Sequence, residues 1–179
     1  MTSRRVVNAL SLSRIPIALA FVLLFQQNEL AFTTSVILIV VALATDILDG
    51  FFARRLAVAS TDGRHWDSLG DKSLYIAIIV AFNTQQLLGP VLTWGLLVRE
   101  VALYITRILY IEKLPKLEQI RPFTNWHGYF MYLLTLLGLT QMYANIRTFS
   151  LDLYSYMQLT AVMALLCGVA SIVHWLRLE

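Results

Sequence analysis

Six long apolar stretches dominate this chain, at about positions 10–25, 30–49, 69–82, 88–111, 126–142 and 151–176. Most are of the order of the ~20 residues that an α-helix needs to cross a bilayer. The first and third are shorter, so flanking helical turns are expected to extend beyond the hydrocarbon. With 179 residues in all, the connections between stretches are short. They leave no room for a separate soluble domain, and no internal repeat or low-complexity tract is visible. Charged residues make up only 14% of the chain and apolar ones 58%, whereas a soluble domain carries roughly 25% charged residues. That supply cannot cover a soluble surface, which argues against a soluble enzyme, a nucleic-acid binder or a disordered chain. The apolar residues are continuous rather than alternating, which argues against a transmembrane β-barrel. The expected fold is all-α: one polytopic integral membrane domain over residues 1–179 with six transmembrane helices, residues 1–9 forming a juxtamembrane segment.

The basic residues orient these spans. Arg4, Arg5, Arg14, Arg54, Arg55, Arg64, Lys72, Arg99, Arg107, Lys113, Lys116, Arg121 and Arg177 fall on one side, and Arg147 alone on the other. The positive-inside rule then places both termini, and the segments 54–66 and 112–122, in the cytoplasm. The opposite connections at 26–28 and 83–89 carry no charge. This topology suits a cell (inner) membrane. An organelle inner membrane is the alternative, because the chain has three Arg and three Ser by position 14 and no acid before Glu29. That stretch runs straight into the first apolar run, unlike a detachable leader. The net charge of +3 reflects the membrane-side bias, not nucleic acid. Cys167 is the single cysteine, so it makes no intrachain disulfide and no thiolate metal site.

The carboxylates are concentrated. Asp46 and Asp49 lie three apart at the end of the second run, and Asp67 and Asp71 four apart at the start of the third. Each pair shares a helix face, and a short loop lets the two helix ends meet. Four neighbouring anions repel unless cations intervene. Hard oxygen ligands select Mg²⁺, Mn²⁺ or Ca²⁺ rather than Zn²⁺. Four carboxylates suffice for two divalent ions, an arrangement used for in-line displacement at phosphorus. The plainer alternative is a set of solvated acids partly paired with Arg54, Arg55 and Arg64. Gly50 and Ala53 leave an open surface beside Asp49, Arg54 is suited to a phosphate, and Gly63 lies in the connection.

Written out, this segment is D46-x2-D49-G50-x2-A53-R54-x8-G63-x3-D67-x3-D71. It resembles the signature of the CDP-alcohol phosphotransferase family, integral membrane enzymes of phospholipid synthesis, with all eight fixed residues at the family's spacing. The resemblance implies that Asp46, Asp49, Asp67 and Asp71 hold a pair of Mg²⁺ or Mn²⁺ ions. It implies that Asp71 is also the general base toward an acceptor hydroxyl that attacks the β-phosphorus of CDP-diacylglycerol. Gly50, Ala53, Arg54 and Gly63 would then be nucleotide-binding positions. The first run adds N8-x2-S11-x2-R14, which resembles the N-x-L-T-x-x-R opening of phosphatidyl-transferring members. That likeness puts Asn8 with the nucleotide-binding positions and Arg14 with the substrate-binding ones, with interfacial anchoring as the alternative for both. The resemblance further implies a polar cavity open to the cytoplasm, surrounding membrane lipids as neighbours and a homodimer.

The acceptor is read from the fourth run. Arg99 and Arg107 are eight apart, about two helical turns, and arginines within an apolar helix are expensive unless they bind something. The stretch R99-E100-x6-R107 resembles phosphatidylglycerophosphate synthases, which implies glycerol 3-phosphate as acceptor. The alternative is an ion pair of Arg99 with Glu100 and snorkelling of Arg107. The segment R121-P-F-T-N-W-H127 lacks the lysines usual in that subfamily and faintly resembles cardiolipin synthases of the CDP-alcohol type, which use phosphatidylglycerol. Lys113, Lys116, Arg121 and His127 are candidates for a cationic pocket, although a His in an aromatic neighbourhood is more often structural. A reading of a different class, a divalent-cation membrane carrier, calls for acids at the midplane or on both sides. Here all four sit at one end, beside Arg54. Trp66, Trp94, Trp126 and Trp175 are read as interface anchors.

Overall fold

The computed structural model describes the backbone of residues 2–55, 61–109 and 121–176, and the side chains of residue 9 and residues 12–45, 69–105 and 125–173. The described chain is helical and contains no strand. The helices are α1 (Thr2–Leu24), α2 (Glu29–Arg55), α3 (Thr61–Thr84), α4 (Pro90–Leu109), α5 (Arg121–Ile146) and α6 (Tyr154–Leu176). They correspond one to one with the six apolar runs. Four helices overshoot their runs into polar sequence, among them α5, which begins at Arg121, five positions before its run. The segment 1–9, expected only as a juxtamembrane piece, is helical from Thr2. α2 continues past position 49 to Arg55, and α3 begins at Thr61, eight positions before its apolar run. Hydropathy marks only the stretch that shuns water. A helix continues through polar residues for as long as its backbone bonds are satisfied.

The chain packs as two compact units, Met1–Ala81 and Phe82–Glu179. In the first, α1 and α2 pack against each other across a connection of a few residues. α1 buries Arg14, Ala18 and Phe21, followed just past its end by Phe25, and α2 buries Phe32, Ser35, Ile39 and Ala42, each set at the three-four spacing of one helix face. Phe21, Phe25 and Phe32 stack across the turn with centroids 5.2 and 6.2 Å apart. Asn28 caps α2, its Oδ1 accepting from the backbone N–H groups of Leu30 and Ala31. This satisfies donors that a helix start otherwise orphans. Pro16 lies inside α1 and cannot donate to the carbonyl four residues before it.

In the second unit α6 packs on both α4 and α5. α6 turns small residues inward, Ala161, Ala164, Gly168 and Ser171, which allow close approach of neighbouring helices. The ring of Phe82 occupies the space where a Cβ on Gly138 would stand. The chain enters α6 through Gln141, which donates to the Leu151 carbonyl and accepts from the Leu153 N–H, 2.9 and 2.7 Å away. In the second turn of α6, Gln158 donates to the Leu87 carbonyl, tying the α3–α4 connection to α6.

Helices α3 and α5 end alike. Leu87 N–H bonds back to the Phe82 carbonyl, and Phe149 N–H to the Ala144 carbonyl. The preceding residues Gln86 and Thr148 both have φ 57°. These are Schellman caps, whose left-handed position is normally glycine. A β-branched residue there is strained. Thr148→Gly is expected to stabilise the protein by about 1 kcal/mol, read as a raised midpoint of thermal unfolding in detergent.

Outward faces of the helices are apolar, including Leu19 and Leu23 of α1, Ile37 and Val40 of α2, Val91, Trp94 and Val98 of α4, and Leu159 and Leu166 of α6. Hydroxyls within the helices bond to carbonyls of their own helix, as at Ser35, Thr45, Thr135 and Ser171, so they need no water. Among the described residues, Tyr154–Val173 is the stretch long and apolar enough to cross a membrane by length and composition, and 12–24 and 29–45 are shorter apolar helices.

Candidate functional site

The acidic segment straddles two helices. Asp46, Asp49, Gly50, Ala53 and Arg54 occupy the C-terminal end of α2, and Gly63, Asp67 and Asp71 the first half of α3. At about 100° per residue, the α2 positions fall on one broad face, and the three α3 positions, four apart, form a second stripe. Glycine in a helix interior is unfavourable, so its presence at positions 50 and 63 within two regular helices marks places where a side chain is dispensable or unwelcome. Of this set the described side chains include Asp71 alone. Those of Asp46, Asp49, Ala53, Arg54 and Asp67, and the surroundings of Gly50 and Gly63, lie outside the described residues.

Asp71 has a partner the spacing does not reveal. Arg14 Nη1 of α1 donates to Asp71 Oδ1 at 2.6 Å. The guanidinium is fully buried while the Asp71 side chain is 41% exposed. Arg14 is therefore not an interfacial anchor with its head in water. It reaches from inside the first unit to one oxygen of the motif's last carboxylate and fixes how that carboxylate is presented. A charge-assisted bond of this length is among the stronger kinds. Immediately after it, Lys72 lies over the ring of Tyr75 at 5.6 Å, and Ser73 bonds to the Gly70 carbonyl, so both polar neighbours of Asp71 on α3 have local partners.

Among the described residues no three His, Cys, Asp or Glu side chains cluster as metal ligands. The donor set that carries the metal expectation falls mostly outside them. What is described fits it: a half-exposed carboxylate, oriented from behind by a buried arginine, on the helix that also carries Asp67. The donors are all carboxylate oxygens, the chemistry of Mg²⁺ or Mn²⁺.

The second unit holds the other buried charges. On α4, Arg99 and Glu100 are 3% and 0% exposed, and Arg99 Nη1 donates to Glu100 Oε1 at 2.6 Å. The ion pair considered for the sequence is therefore present. The same Oε1 lies 2.7 Å from Nε2 of His127 on α5, whose Nδ1 lies 2.9 Å from the Ala164 carbonyl on α6. A carbonyl only accepts, so Nδ1 is the donor to Ala164. Spacing did not reveal the Glu100–His127 link. The available signal was general: a charge within an apolar helix needs a partner, and α5 offers a His. The side chains of Asn8, Arg107 and Arg121 lie outside the described residues, as do Lys113 and Lys116 entirely.

The model of the family described as CDP-alcohol phosphatidyltransferase matches residues 4–178 of this chain. A curated relative from Aquifex aeolicus (strain VF5), named CDP-diacylglycerol--glycerol-3-phosphate 3-phosphatidyltransferase, is 35% identical over 111 residues. The match takes in 59% of this chain and 60% of the relative, so this chain spans well under two thirds of the relative's length. No solved structure matches the chain.

Proposed function

The chain belongs to the CDP-alcohol phosphatidyltransferase family, and from that premise we propose that it transfers a phosphatidyl group from CDP-diacylglycerol to glycerol 3-phosphate, releasing CMP and giving phosphatidylglycerophosphate. The observation that carries this reading is the complete D46…D71 segment, set on the end of one helix and the start of the next. The name of the relative supports glycerol 3-phosphate as acceptor.

The family is membrane-associated and generally uses divalent metals. We place the chain in the inner membrane with six spans, with both termini and the site cytoplasmic, and as a homodimer. The apolar outward faces and the one-sided basic residues support the spans and their direction. Asp46, Asp49, Asp67 and Asp71 would hold two Mg²⁺ or Mn²⁺ ions, which when bound neutralise the diphosphate and the departing oxygen.

The residues do the rest. Gly50, Ala53, Gly63 and Asn8 admit the cytidine diphosphate, and Arg54 takes a phosphate. Asp71 removes the proton from the acceptor hydroxyl. That oxygen bonds to the β-phosphorus, the bond from this phosphorus to the bridging oxygen breaks, and CMP leaves with that oxygen. Arg99 and Arg107 hold the acceptor's phosphate, with Lys113, Lys116 and Arg121 adding positive charge. Arg14 serves through Asp71, whose carboxylate it aims. Partners that orient a ligating group typically matter 10–100-fold. Arg14→Met, which fills the buried space without charge, is therefore expected to cut kcat/KM about 10–100-fold and to weaken apparent Mn²⁺ affinity. A metal titration of initial rates checks both.

The Arg121-Pro122 and Thr124 pattern favours a second acceptor, phosphatidylglycerol, giving cardiolipin. Purified protein with CDP-diacylglycerol and Mg²⁺ or Mn²⁺ tests both readings. CMP release with glycerol 3-phosphate supports the first, release with phosphatidylglycerol alone supports the second, and release with neither, where inositol 1-phosphate or serine sustains it, overturns both.

A further inference from the structure

The cluster on α4, α5 and α6 does more than neutralise a buried arginine. Its five features come from three separate helices. α4 supplies Arg99 and Glu100. α5 supplies His127. α6 supplies the Ala164 carbonyl and, one turn further on, Gly168. A Cβ on Gly168 would overlap Nε, Cγ and Cδ of Arg99. The arginine stem therefore runs through space that exists only because position 168 has no side chain. Its guanidinium then meets Glu100 Oε1, which His127 Nε2 also approaches, at 2.7 Å. His127 is in turn anchored at 2.9 Å to a backbone carbonyl of α6, which a rotamer change cannot move. All three side chains are at least 97% buried.

A brace built only to cancel charge needs one acid. Here the acid is itself held, by a ring fixed to the backbone of a third helix, and the stem of the arginine is threaded past a glycine. Each element removes one freedom from the guanidinium. A long flexible side chain gains most from such support when its orientation matters to a ligand.

We infer that Glu100 and His127 are positioning residues that aim the Arg99 guanidinium, and that Gly168 opens the space it occupies, so that these residues set the affinity for the acceptor's phosphate. This inference rests on the reading that Arg99 belongs to the site of a phosphate-bearing acceptor.

The test is steady-state kinetics of the full chain with CDP-diacylglycerol, Mg²⁺ and glycerol 3-phosphate, comparing His127→Leu, His127→Gln and Gly168→Ala. Misaiming a binding group costs on the order of tenfold or more. His127→Leu and Gly168→Ala should each raise KM for glycerol 3-phosphate about tenfold or more, with KM for CDP-diacylglycerol within about twofold of the wild type. His127→Gln, which keeps a polar side-chain amide within reach of Glu100, should recover most of that affinity. Gly168→Ala retains every polar group, so it keeps the test decisive if His127→Leu fails to fold. Losses confined to kcat or to thermal stability, with KM for glycerol 3-phosphate unchanged, overturn the inference and leave the cluster a purely structural brace. A wild-type protein that does not use glycerol 3-phosphate overturns the acceptor reading and this inference with it, and that outcome is visible before any variant is made.

Discussion

Asp71→Asn is expected to abolish turnover to within about a thousandth of the wild-type rate while leaving the fold intact. Loss of a general base alone is worth about 10²–10⁴ in rate, and a metal ligand is lost with it. The fold should survive because an amide oxygen still accepts from Arg14, and because the Asp71 side chain is 41% exposed, so the substitution leaves no carboxylate-shaped hole. The measurement is kcat beside thermal unfolding in detergent. A variant with a tenth or more of wild-type activity contradicts the role given to Asp71. A variant that has lost both rate and fold contradicts the claim that Arg14 is satisfied by the amide.

Glu100→Leu is expected to destabilise the protein by about 3–5 kcal/mol, the cost of removing one partner from a buried ion pair. The guanidinium of Arg99, 3% exposed, loses its carboxylate and His127 loses its partner at Nε2. For a chain of this size, that amounts to a fall of about 10 °C or more in the unfolding midpoint. Glu100→Gln keeps an acceptor oxygen and should fall by less than half as much. A Glu100→Leu protein as stable as the wild type contradicts the network, since it implies that Arg99 and His127 find water or other partners at no cost.

The helices were legible because apolar runs of this length admit little else. Their ends were less so. The expected second and third runs stop at position 49 and start at position 69, whereas α2 reaches Arg55 and α3 begins at Thr61. Hydropathy falls where the acidic segment begins, although the segment's own spacing of three and four is helical. The chemistry of the site was legible as residue types: carboxylates in pairs, glycines beside them, one arginine at hand. Its wiring was not. Arg14 and Asp71 are 57 residues apart and nothing in either neighbourhood names the other. Glu100 could be matched to Arg99 by adjacency, but His127 joins them only because α5 and α4 both meet α6. Gly168 carries no signal in sequence, since its role is the absence of a side chain where an arginine from another helix passes.

The central claim is that an acceptor oxygen displaces CMP at the lipid-side phosphorus of CDP-diacylglycerol, at the site built on the D46…D71 segment. The most direct measurement uses CDP-diacylglycerol labelled at that phosphorus, purified protein, Mg²⁺ and glycerol 3-phosphate. The account predicts that all transferred label appears in a new acidic phospholipid, none in CMP, and that both transfer and CMP release vanish on chelation and in Asp71→Asn. Label in the released nucleotide, or transfer that persists in Asp71→Asn, would contradict it.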